Sequence, residues 1–372
     1  MTWRATRLGD VLTLKRGHDL PDSQRQDGEV PVVSSSGITG HHNEPKAKAP
    51  GVVTGRYGTL GEVFFIEEDY WPLNTALYVI DFKGNRPRFV AYFLESVLRN
   101  YQSDKAAVPG VNRNVLHEIK VRCPDTKVQE RIADILSAYD DLIENNRRRM
   151  ALLEDAARQL YREWFVRLRF PGHEHTRITN GVPEGWERKT LGDLCEEIRE
   201  TVKPETLEPD TPYIGLEHMP RRSIALSDWG TAEQVTSSKH RFREGEILFG
   251  KIRPYFHKVG VALLDGVASS DAIVIRPIEP KVRGFVLMTV SSDPFVAVTA
   301  QTMREGAKMP RADWKQMQAY STPLPPDGLL GSFESAIQPI VEQLKSLTFA
   351  NQKLRAARDV LLPRLMSGDI PV

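Results

Sequence analysis

The stretch 128–165, VQERIADILSAYDDLIENNRRRMALLEDAARQLYREWF, decides the fold. Its apolar or small side chains recur in alternating steps of four and three residues around Asn146, the spacing of one face of a long helix. The members of this seam are Ile132, Leu136, Tyr139, Ile143, Met150, Leu153, Ala157, Leu160 and Trp164. The pattern predicts a helix of about 35 residues, roughly 52 Å long. Such a helix cannot bury its stripe alone, so it needs a partner.

A second stretch near the carboxyl terminus repeats these steps and supplies that partner. Its seam consists of Ile337, Ile340, Leu344, Leu347, Asn351, Leu354, Arg358, Leu361 and Leu365. Each seam carries an asparagine near its middle, Asn146 in the first helix and Asn351 in the second. If the helices run antiparallel, the two amides meet, and we interpret them as a hydrogen-bonded pair that fixes the register. The alternative is that each amide lies at the edge of the seam and meets water.

The remaining sequence is an internal repeat. Trp3 followed by Leu8-Gly9-Asp10 matches Trp186 followed by Leu191-Gly192-Asp193, both at an offset of 183 residues. The chain therefore reads as block, helix, block, helix, and about 150 residues per domain fits two domains in 372 residues. We expect an α+β fold with two mixed α/β blocks over 1–127 and 186–328, long helices over 128–168 and 329–372 (with the tail), and a linker over 169–185.

Short β-rich runs alternate with turns inside each block. Strands are expected at 52–54, 63–66, 76–80, 246–249 and 272–275, and helices at 88–99 and 284–290. Proline and glycine mark the linker and the start of each long helix.

Composition excludes several classes of protein. Hydrophobic residues make up 40% and charged residues 27%, as in ordinary globular proteins. No apolar run reaches the ~18 residues of a membrane span, and the first residues lack the apolar core of a signal peptide, so we expect a cytoplasmic protein without membrane contact. Two cysteines, Cys123 and Cys195, exclude a disulfide scaffold, and we expect them to pack as small apolar groups.

Catalytic motifs are missing from the sequence. The Gly250-Lys251 pair is followed by isoleucine and so fails the phosphate-loop pattern. No methyltransferase-type Asn/Asp-Pro-Pro-aromatic motif is present, and Pro124-Asp125 is not followed by the rest of a nuclease signature. The histidines of His41-His42 and His173-Glu174-His175 are interpreted as surface loops rather than metal ligands. We therefore predict no catalytic residue, no metal and no cofactor on this chain.

A local basic segment is the best candidate for a binding site. The net charge is only +1, yet 239–258 holds six basic residues against two acidic ones. Arginine and lysine contact phosphates or guanine edges, and tyrosine and histidine add hydrogen bonds and stacking, so this segment predicts a DNA contact. The candidates are Lys251, Arg253, Tyr255, His257 and Lys258. A solvated strand-turn surface is the alternative.

The first block has candidates at comparable places. Arg56, Tyr57 and Thr59 fall where Lys251 and its neighbours fall in the second block, and Asn74 with Thr75 follows. Near the end of each block lies a second matched pair of loops, with Asn112 and Arg113 in the first and Lys308 and Arg311 in the second. Their alternative interpretations are structural: Asn74 shapes a turn, and the later loops begin helices.

The chain resembles the specificity subunit of type I restriction-modification systems over essentially its whole length. The resemblance is carried by the repeated Trp…Leu-Gly-Asp openings and by four further motifs. These are Gln129-Glu130-Arg131-Ile132, Leu160-Tyr161-Arg162-Glu163-Trp164-Phe165, Pro183-Glu184-Gly185-Trp186 and Arg358-Asp359-Val360-Leu361-Leu362-Pro363-Arg364-Leu365-Met366-Ser367-Gly368.

The resemblance implies a non-catalytic subunit. Each block would be a target recognition domain that reads one half of a split, asymmetric DNA sequence. The helices would form an antiparallel coiled coil that spaces two pseudo-twofold-related domains. The partners would be double-stranded DNA, two methyltransferase subunits that use S-adenosylmethionine, and restriction subunits that use ATP and Mg; this chain would hold no cofactor.

Two other functions stay open at this point: a coiled-coil adaptor without DNA sequence recognition, and a self-sufficient DNA-modifying enzyme, against which the missing motifs argue. The charged patch Arg147-Arg148-Arg149 with Glu144, Glu154 and Asp155 is interpreted as a solvated helix face rather than a partner contact.

Overall fold

The computed structural model of the chain describes residues 3–56, 61–103, 112–301 and 310–372. The chain divides into two compact units, one formed by Met1–Glu144 with Gln352–Val372 and the other by Asn145–Asn351. The division falls inside both long helices, so each unit contains a part of each.

Unit 1 is built on a four-stranded antiparallel sheet in the order β2-β8-β5-β6, with a three-stranded sheet β4-β3-β7 and the pair β1-β9. Its strands are β1 (Arg4–Arg7), β2 (Thr13–Arg16), β3 (Val30–Ser34), β4 (Gly37–His42), β5 (Gly51–Gly55), β6 (Val63–Ile66), β7 (Trp71–Pro72), β8 (Ala76–Asp81) and β9 (Lys120–Cys123). Its short helices are α1 (Leu8–Val11), α2 (Pro87–Ser103) and α3 (Arg113–His117). The first long helix is α4 (Thr126–Tyr161).

Unit 2 is built on a five-stranded sheet in the order β13-β22-β19-β20-β16, with a second five-stranded sheet β14-β18-β21-β15-β17 and the pairs β10-β11 and β12-β23. Its strands are β10 (Ile178–Thr179), β11 (Val182–Pro183), β12 (Glu187–Thr190), β13 (Cys195–Ile198), β14 (Thr201–Val202), β15 (Pro212–Ile214), β16 (Ala225–Leu226), β17 (Gly230–Thr231), β18 (Lys239–Phe242), β19 (Ile247–Gly250), β20 (Val259–Ala262), β21 (Gly266–Ala268), β22 (Ala272–Pro277) and β23 (Ser321–Leu324). Its helices are α5 (Arg283–Val290), α6 (Asp293–Gln301), α7 (Trp314–Met317) and the start of α8 (Asp327–Ser367).

The two Leu-Gly-Asp motifs have the same local structure. Asp10 Oδ2 accepts a hydrogen bond from the Arg7 amide at 3.2 Å, and Asp193 Oδ2 accepts one from the Thr190 amide at 2.7 Å. Each carboxylate thus closes the first turn of a short helical segment. The preceding leucine is fully buried in both units. The repeated motif therefore has a structural role near the start of each block.

The first long helix begins because Asp125 accepts hydrogen bonds from the Lys127 and Val128 amides at 3.0 and 3.1 Å. It ends in a π-helical turn over Arg162–Val166, after which Leu168 adopts a left-handed conformation. The second long helix ends at Ser367, and the next residue, Gly368, has a φ of +83°. A Cβ at Gly368 would lie 2.6 Å from the Trp3 indole nitrogen, so only glycine fits this end of the helix.

Within each unit the two long helices pack in opposite directions. In unit 2, Asn146 bonds to Asn351, and further along α4 the Tyr161 ring lies 6.4 Å from the ring of Phe333, which comes earlier in α8. In unit 1, Asp140 pairs with Arg358 at 2.6 Å. As numbers rise along α4, the partners' numbers fall along α8, so the pairing is antiparallel. Every predicted seam residue is buried or half-buried.

The seams continue into the cores of the blocks. In unit 1, Ile132 and Leu136 share a cluster with Leu362 and Leu365 and with Phe89 of α2. In unit 2, Ala157 and Leu344 share a cluster with strands β19 and β22 and with α5. Each block is therefore packed directly on its segments of the helix pair.

Polar side chains of α4 also fasten it to the blocks. Gln129, which is 1% exposed, accepts a bond from the Arg86 amide at 3.0 Å and donates to Asn85 Oδ1 at 2.7 Å. Glu154 accepts bonds from the Ser223 hydroxyl at 2.6 Å and the Ala225 amide at 3.3 Å. The interpretation of Glu154 as part of a solvated face is wrong, because this carboxylate is buried against the loop before β16. Its oxygens accept hydrogen bonds from that segment instead of from water.

Both cysteines are buried, and burial raises the pKa of the Cys123 thiol to about 11 and that of Cys195 to about 12. Along the described ranges, no helix combines the length and apolarity that crossing a membrane requires. Within the same ranges, no group of three or more His, Cys, Asp or Glu side chains is arranged to hold a metal ion.

Candidate nucleic-acid interface

The basic segment of unit 2 forms a tight loop between β19 and β20. Arg253 and His257 both adopt left-handed φ angles, +49° and +53°, on either side of a single 3-10 turn. Two left-handed non-glycine residues so close together cost free energy and persist only where surrounding bonds hold them. The Arg253 amide donates to Pro310 O at 3.0 Å, and His257 Nε2 lies 2.8 Å from Ser291 O. The loop is thus held in one shape.

The two segments of unit 2 that the sequence suggested separately lie side by side. Ile252 forms an antiparallel bridge with Arg311, and the Ala312 amide donates to Lys251 O at 2.8 Å. Residues from the β19–β20 loop and from the loop before α7 therefore make a single surface, which we call the unit 2 loop surface. Lys308 lies outside the described residues.

Three candidates present their side chains on this surface. Arg253 and Arg311 are exposed, and Tyr255 is 53% exposed. Arg253 makes no ion pair with any residue that the structure describes, whereas Arg311 lies 3.4 Å from Asp271 Oδ1. An exposed guanidinium without a carboxylate partner is free to meet an anion.

The other three candidates of this loop face inward. Lys251 Nζ donates to Ser270 O at 3.1 Å, and burial lowers the pKa of its ammonium group. Lys258 Nζ donates to Leu216 O at 2.5 Å. His257 is 7% exposed, and its Nδ1 lies 3.4 Å from Asp293 Oδ1 while Nε2 faces Ser291 O. Burial also lowers the pKa of His257. These side chains shape the loop from within, so we leave them out of the proposed contact surface.

The matching place in unit 1 has the same backbone hydrogen bond. The Arg56 amide donates to Thr75 O at 3.1 Å, as the Lys251 amide donates to Asp271 O at 2.7 Å. Each bond joins the end of the central strand to the loop that precedes the next strand of the sheet. Tyr57 and Thr59 lie outside the described residues.

The side chains of the neighbouring loop in unit 1 are engaged locally. The Asn74 amide group donates to Asp19, and Arg16 Nε donates to Asn74 O at 3.3 Å. Thr75 Oγ1 accepts from the Ser35 amide at 3.4 Å. This geometry agrees with the alternative in which Asn74 shapes a turn.

The loop before α3 begins a helix. Asn112 Oδ1 accepts from the Asn114 amide at 2.9 Å and caps the helix, as Asp313 caps α7 by accepting from the Lys315 amide at 3.1 Å. Asn112 and Arg113 are both exposed, so the capping role leaves the Arg113 guanidinium available to a ligand.

Sequence reasoning missed Arg221, which adjoins the unit 2 loop surface. Its guanidinium carbon lies 4.1 Å from the centre of the Phe256 ring, within cation–π range. The pair Arg221-Arg222 directly after Pro220 was the available signal, because adjacent basic residues in a proline turn favour an exposed charge.

Comparison with known proteins gives this arrangement a family context. Residues 1–155 match the model of the type I restriction modification DNA specificity domain. The chain is 24% identical over 282 residues to the type I restriction enzyme MjaIX specificity subunit of Methanocaldococcus jannaschii, which covers 73% of this chain and 65% of that protein. It is 21% identical over 353 residues to the EcoDI specificity subunit of Escherichia coli, which covers 87% of this chain and 78% of the relative.

A solved structure extends the likeness to the fold. The S subunit of a type-I restriction-modification system from M. genitalium has a TM-score of 0.62 and 15% identity, covering 98% of this chain and 96% of that one. Residues 1–155 are thus similar to a DNA specificity domain. The resemblance to the specificity subunits of type I restriction-modification systems, predicted from the sequence motifs, is confirmed.

Proposed function

We propose that this chain is the DNA specificity subunit of a type I restriction-modification complex. The blocks 1–127 and 186–328 are the recognition domains, and each reads one half of a bipartite, asymmetric target. The helix pair sets the spacing of the half-sites and docks two methyltransferase subunits. S-adenosylmethionine, ATP and Mg act on partner chains, and restriction subunits complete the complex.

One observation supports the proposal: the four-stranded sheet of unit 1 and the first four strands of the five-stranded sheet in unit 2 follow the same order, and both sheets present polar and basic loops at the same position. The Arg56–Thr75 and Lys251–Asp271 backbone bonds mark this position in each unit. The loop sequences differ between the units, so two such surfaces would read different half-sites. An asymmetric target is the consequence.

The contacts divide into two kinds. Arg253, Arg311 and Arg113 are exposed guanidinium groups suited to phosphates or guanine edges. Tyr255 adds an exposed hydroxyl and ring. Phosphate contacts fix the register on the duplex, and a few base-edge contacts supply the sequence preference. The chemistry on adenine, for which the base leaves the stack, belongs to the methyltransferase.

Co-expression with a type I methyltransferase subunit, followed by genome-wide mapping of methylated adenines, tests the proposal. A split, asymmetric motif supports it. A motif without a gap, or methylation that does not change when the chain is omitted, would overturn it. The second of these outcomes would favour an adaptor without sequence recognition. Methylation by the purified chain alone with S-adenosylmethionine would instead identify an enzyme.

A further inference from the structure

We propose that Arg221 is a DNA phosphate contact of the unit 2 loop surface and that Phe256 is the residue that positions it. The inference rests on the proposed function and deepens it. Arg221 is exposed and lies 4.1 Å from the Phe256 ring centre, and Arg253 lies 5.8 Å from the same ring. Two guanidinium groups from distant parts of the sequence thus gather on one aromatic side chain and form one positive patch.

The turn that carries Arg221 is fixed to the loop that carries Phe256. The Arg222 amide donates to His257 O at 2.9 Å, and Arg222 O accepts from Arg158 Nη2 at 2.5 Å. The Arg222 side chain forms an ion pair with Asp293, with Nη1 2.7 Å from Oδ1. These bonds hold the backbone on the carboxyl side of Arg221, so its position relative to Phe256 is built into the fold.

The two adjacent arginines therefore have different roles. Arg222 is neutralised by a carboxylate, whereas Arg221 makes no ion pair with any residue in the described ranges. A guanidinium stacked on an aromatic face keeps its N–H edge available and loses less freedom when it binds than an unsupported one. The ligand that fits such an edge beside a second arginine is a phosphate of a nucleic-acid backbone.

A phosphate contact has a signature that a base contact lacks. It strengthens binding to all sequences equally, and it contributes about one unit to the slope of log affinity against log salt. Arg221 should therefore set affinity and salt dependence, whereas the choice of sequence should be left to other side chains of the surface.

The test uses the full chain with its methyltransferase partner. Affinities are measured across a range of salt concentrations for a duplex with the mapped target and for a duplex whose second half-site is scrambled. For Arg221→Gln we expect both affinities to fall by the same factor and the slope to fall by about one. Phe256→Leu should shift both quantities in the same direction by less, and Phe256→Tyr should restore them.

Arg188→Gln is the matched control, because it removes one exposed positive charge from β12, in another sheet of the same unit. An unchanged slope in Arg221→Gln, an equal effect of Arg188→Gln, or a loss confined to the target duplex would each overturn the inference. A wild-type complex that does not prefer the target duplex would instead refute the proposed function. Equal unfolding temperatures of the variants exclude misfolding as the cause.

Discussion

Asn146 Nδ2 donates a hydrogen bond to Asn351 Oδ1 over 2.9 Å, between the two long helices of unit 2. Asn351 is 4% exposed and Asn146 is half-buried. The pairing predicted from two seam asparagines is thereby confirmed, and the alternative in which each meets water is wrong. Polar pairs of this kind lower stability relative to leucine and specify which residues face each other.

Asn146→Leu should lower the free energy of unfolding by about 1–3 kcal/mol, because it leaves the buried Asn351 amide without its partner. The double variant Asn146→Leu/Asn351→Leu should be less destabilised than this single variant, since no unpaired polar group remains. Urea unfolding of the wild type, both single variants and the double variant gives the coupling energy. Strictly additive effects would contradict the prediction.

The same substitutions should change the register of the helices. Without the amide pair, apolar side chains tolerate sliding by one turn, so the double variant should form cysteine cross-links at more than one register across the helix pair. A single cross-linked register, identical to that of the wild type, would mean that the surrounding block contacts alone define the alignment.

Arg358 is a charged residue in the otherwise mostly apolar seam of α8. Like Asn351, it has a polar partner on α4, in this case Asp140 in unit 1. Its Nη1 lies 2.6 Å from Asp140 Oδ1, and Asp140 Oδ2 accepts from the Tyr92 hydroxyl at 2.5 Å. The charged side chains are 23% and 30% exposed, which places the pair between the surface and buried limits. The pair therefore joins both long helices to α2.

Asp140→Asn should cost about 2 kcal/mol of unfolding free energy, since it removes one of the two carboxylates that neutralise the half-buried guanidinium and leaves only Asp359, whose Oδ1 lies 2.9 Å from Arg358 Nη2. Tyr92→Phe is the matched control, because it removes the hydroxyl that bonds to the same carboxylate and to Arg88 but leaves the charge of Asp140 in place, and it should cost about 1 kcal/mol. Chemical denaturation of both variants measures the difference. Equal losses would show that the charge of Asp140 contributes nothing beyond accepting the tyrosine hydroxyl.

His117 makes the stability of unit 1 depend on pH. Its Nε2 accepts a hydrogen bond from the Leu14 amide at 2.9 Å, which a protonated ring cannot do. Burial, and secondarily the charge of Arg113, lowers the pKa of His117 in the folded chain below the unfolded value of about 6.5. The unfolded state then binds the proton more readily, so this stabilisation is complete above about pH 6.5 and is lost as the pH falls towards the folded pKa.

His117→Gln should flatten this dependence, because the glutamine oxygen accepts the same bond at every pH. Urea midpoints of both proteins between pH 8 and pH 5 provide the measurement, and only their difference reports on this residue. His18, His240 and His257 also have lowered pKa values and add to the decline in both proteins. Parallel profiles would contradict the role of His117.

Much of this architecture could be predicted because periodicity reports burial directly. A long apolar seam has one way to avoid water, so the helices and their pairing followed from the spacing, whereas the amide contact was one of two alternatives that the spacing left open. The strands at 52–54 and 272–275 followed from β-rich runs, and they lie inside β5 and β22. The repeated Leu-Gly-Asp motif similarly identified two copies of one local structure.

Side-chain direction in the loops could not be predicted, because distant segments decide it. Lys251 and Lys258 look like surface charges in the sequence, yet the carbonyls of Ser270 and Leu216 draw their ammonium groups inward. Arg221 escaped notice because its ring partner, Phe256, comes 35 residues later in the chain. The charge of a residue does not indicate whether a carboxylate, a carbonyl or an aromatic ring lies close to it in the folded chain.

Gly17 is required by the approach of two backbones in unit 1. A Cβ at this position would lie 2.1 Å from Leu73 O, a backbone atom that cannot move aside. Gly17→Ala should therefore lower the free energy of unfolding by about 3 kcal/mol, because the added methyl group overpacks this site. Gly331→Ala, in the open first turns of α8, should stabilise it by about 0.5–1 kcal/mol through helix propensity. The unfolding temperature should fall in Gly17→Ala and rise in Gly331→Ala. Equal changes in the unfolding temperatures of the two variants would contradict the geometry.

On the unit 2 loop surface, Arg253 is a proposed DNA contact, whereas Lys251, two positions earlier, has a structural role. Arg253→Glu reverses an exposed charge that has no ion pair among the described residues, so folding and partner assembly should be unchanged. Lys251→Glu instead places a carboxylate near Glu197, whose Oε1 lies 4.0 Å from Lys251 Nζ, and should lower stability through charge repulsion.

Methylome mapping and thermal unfolding of the co-expressed complexes distinguish these effects. Arg253→Glu should abolish methylation that depends on the second half-site while the unfolding temperature stays at the wild-type value, and the exposed-charge control Arg188→Glu should leave both unchanged. Loss of complex formation in Arg253→Glu would assign this arginine a structural role. In the proposed function, one unit supplies all phosphate and base-edge contacts of one half-site. Selective loss of methylation that depends on the second half-site would therefore indicate that the unit 2 loop surface recognises that half-site.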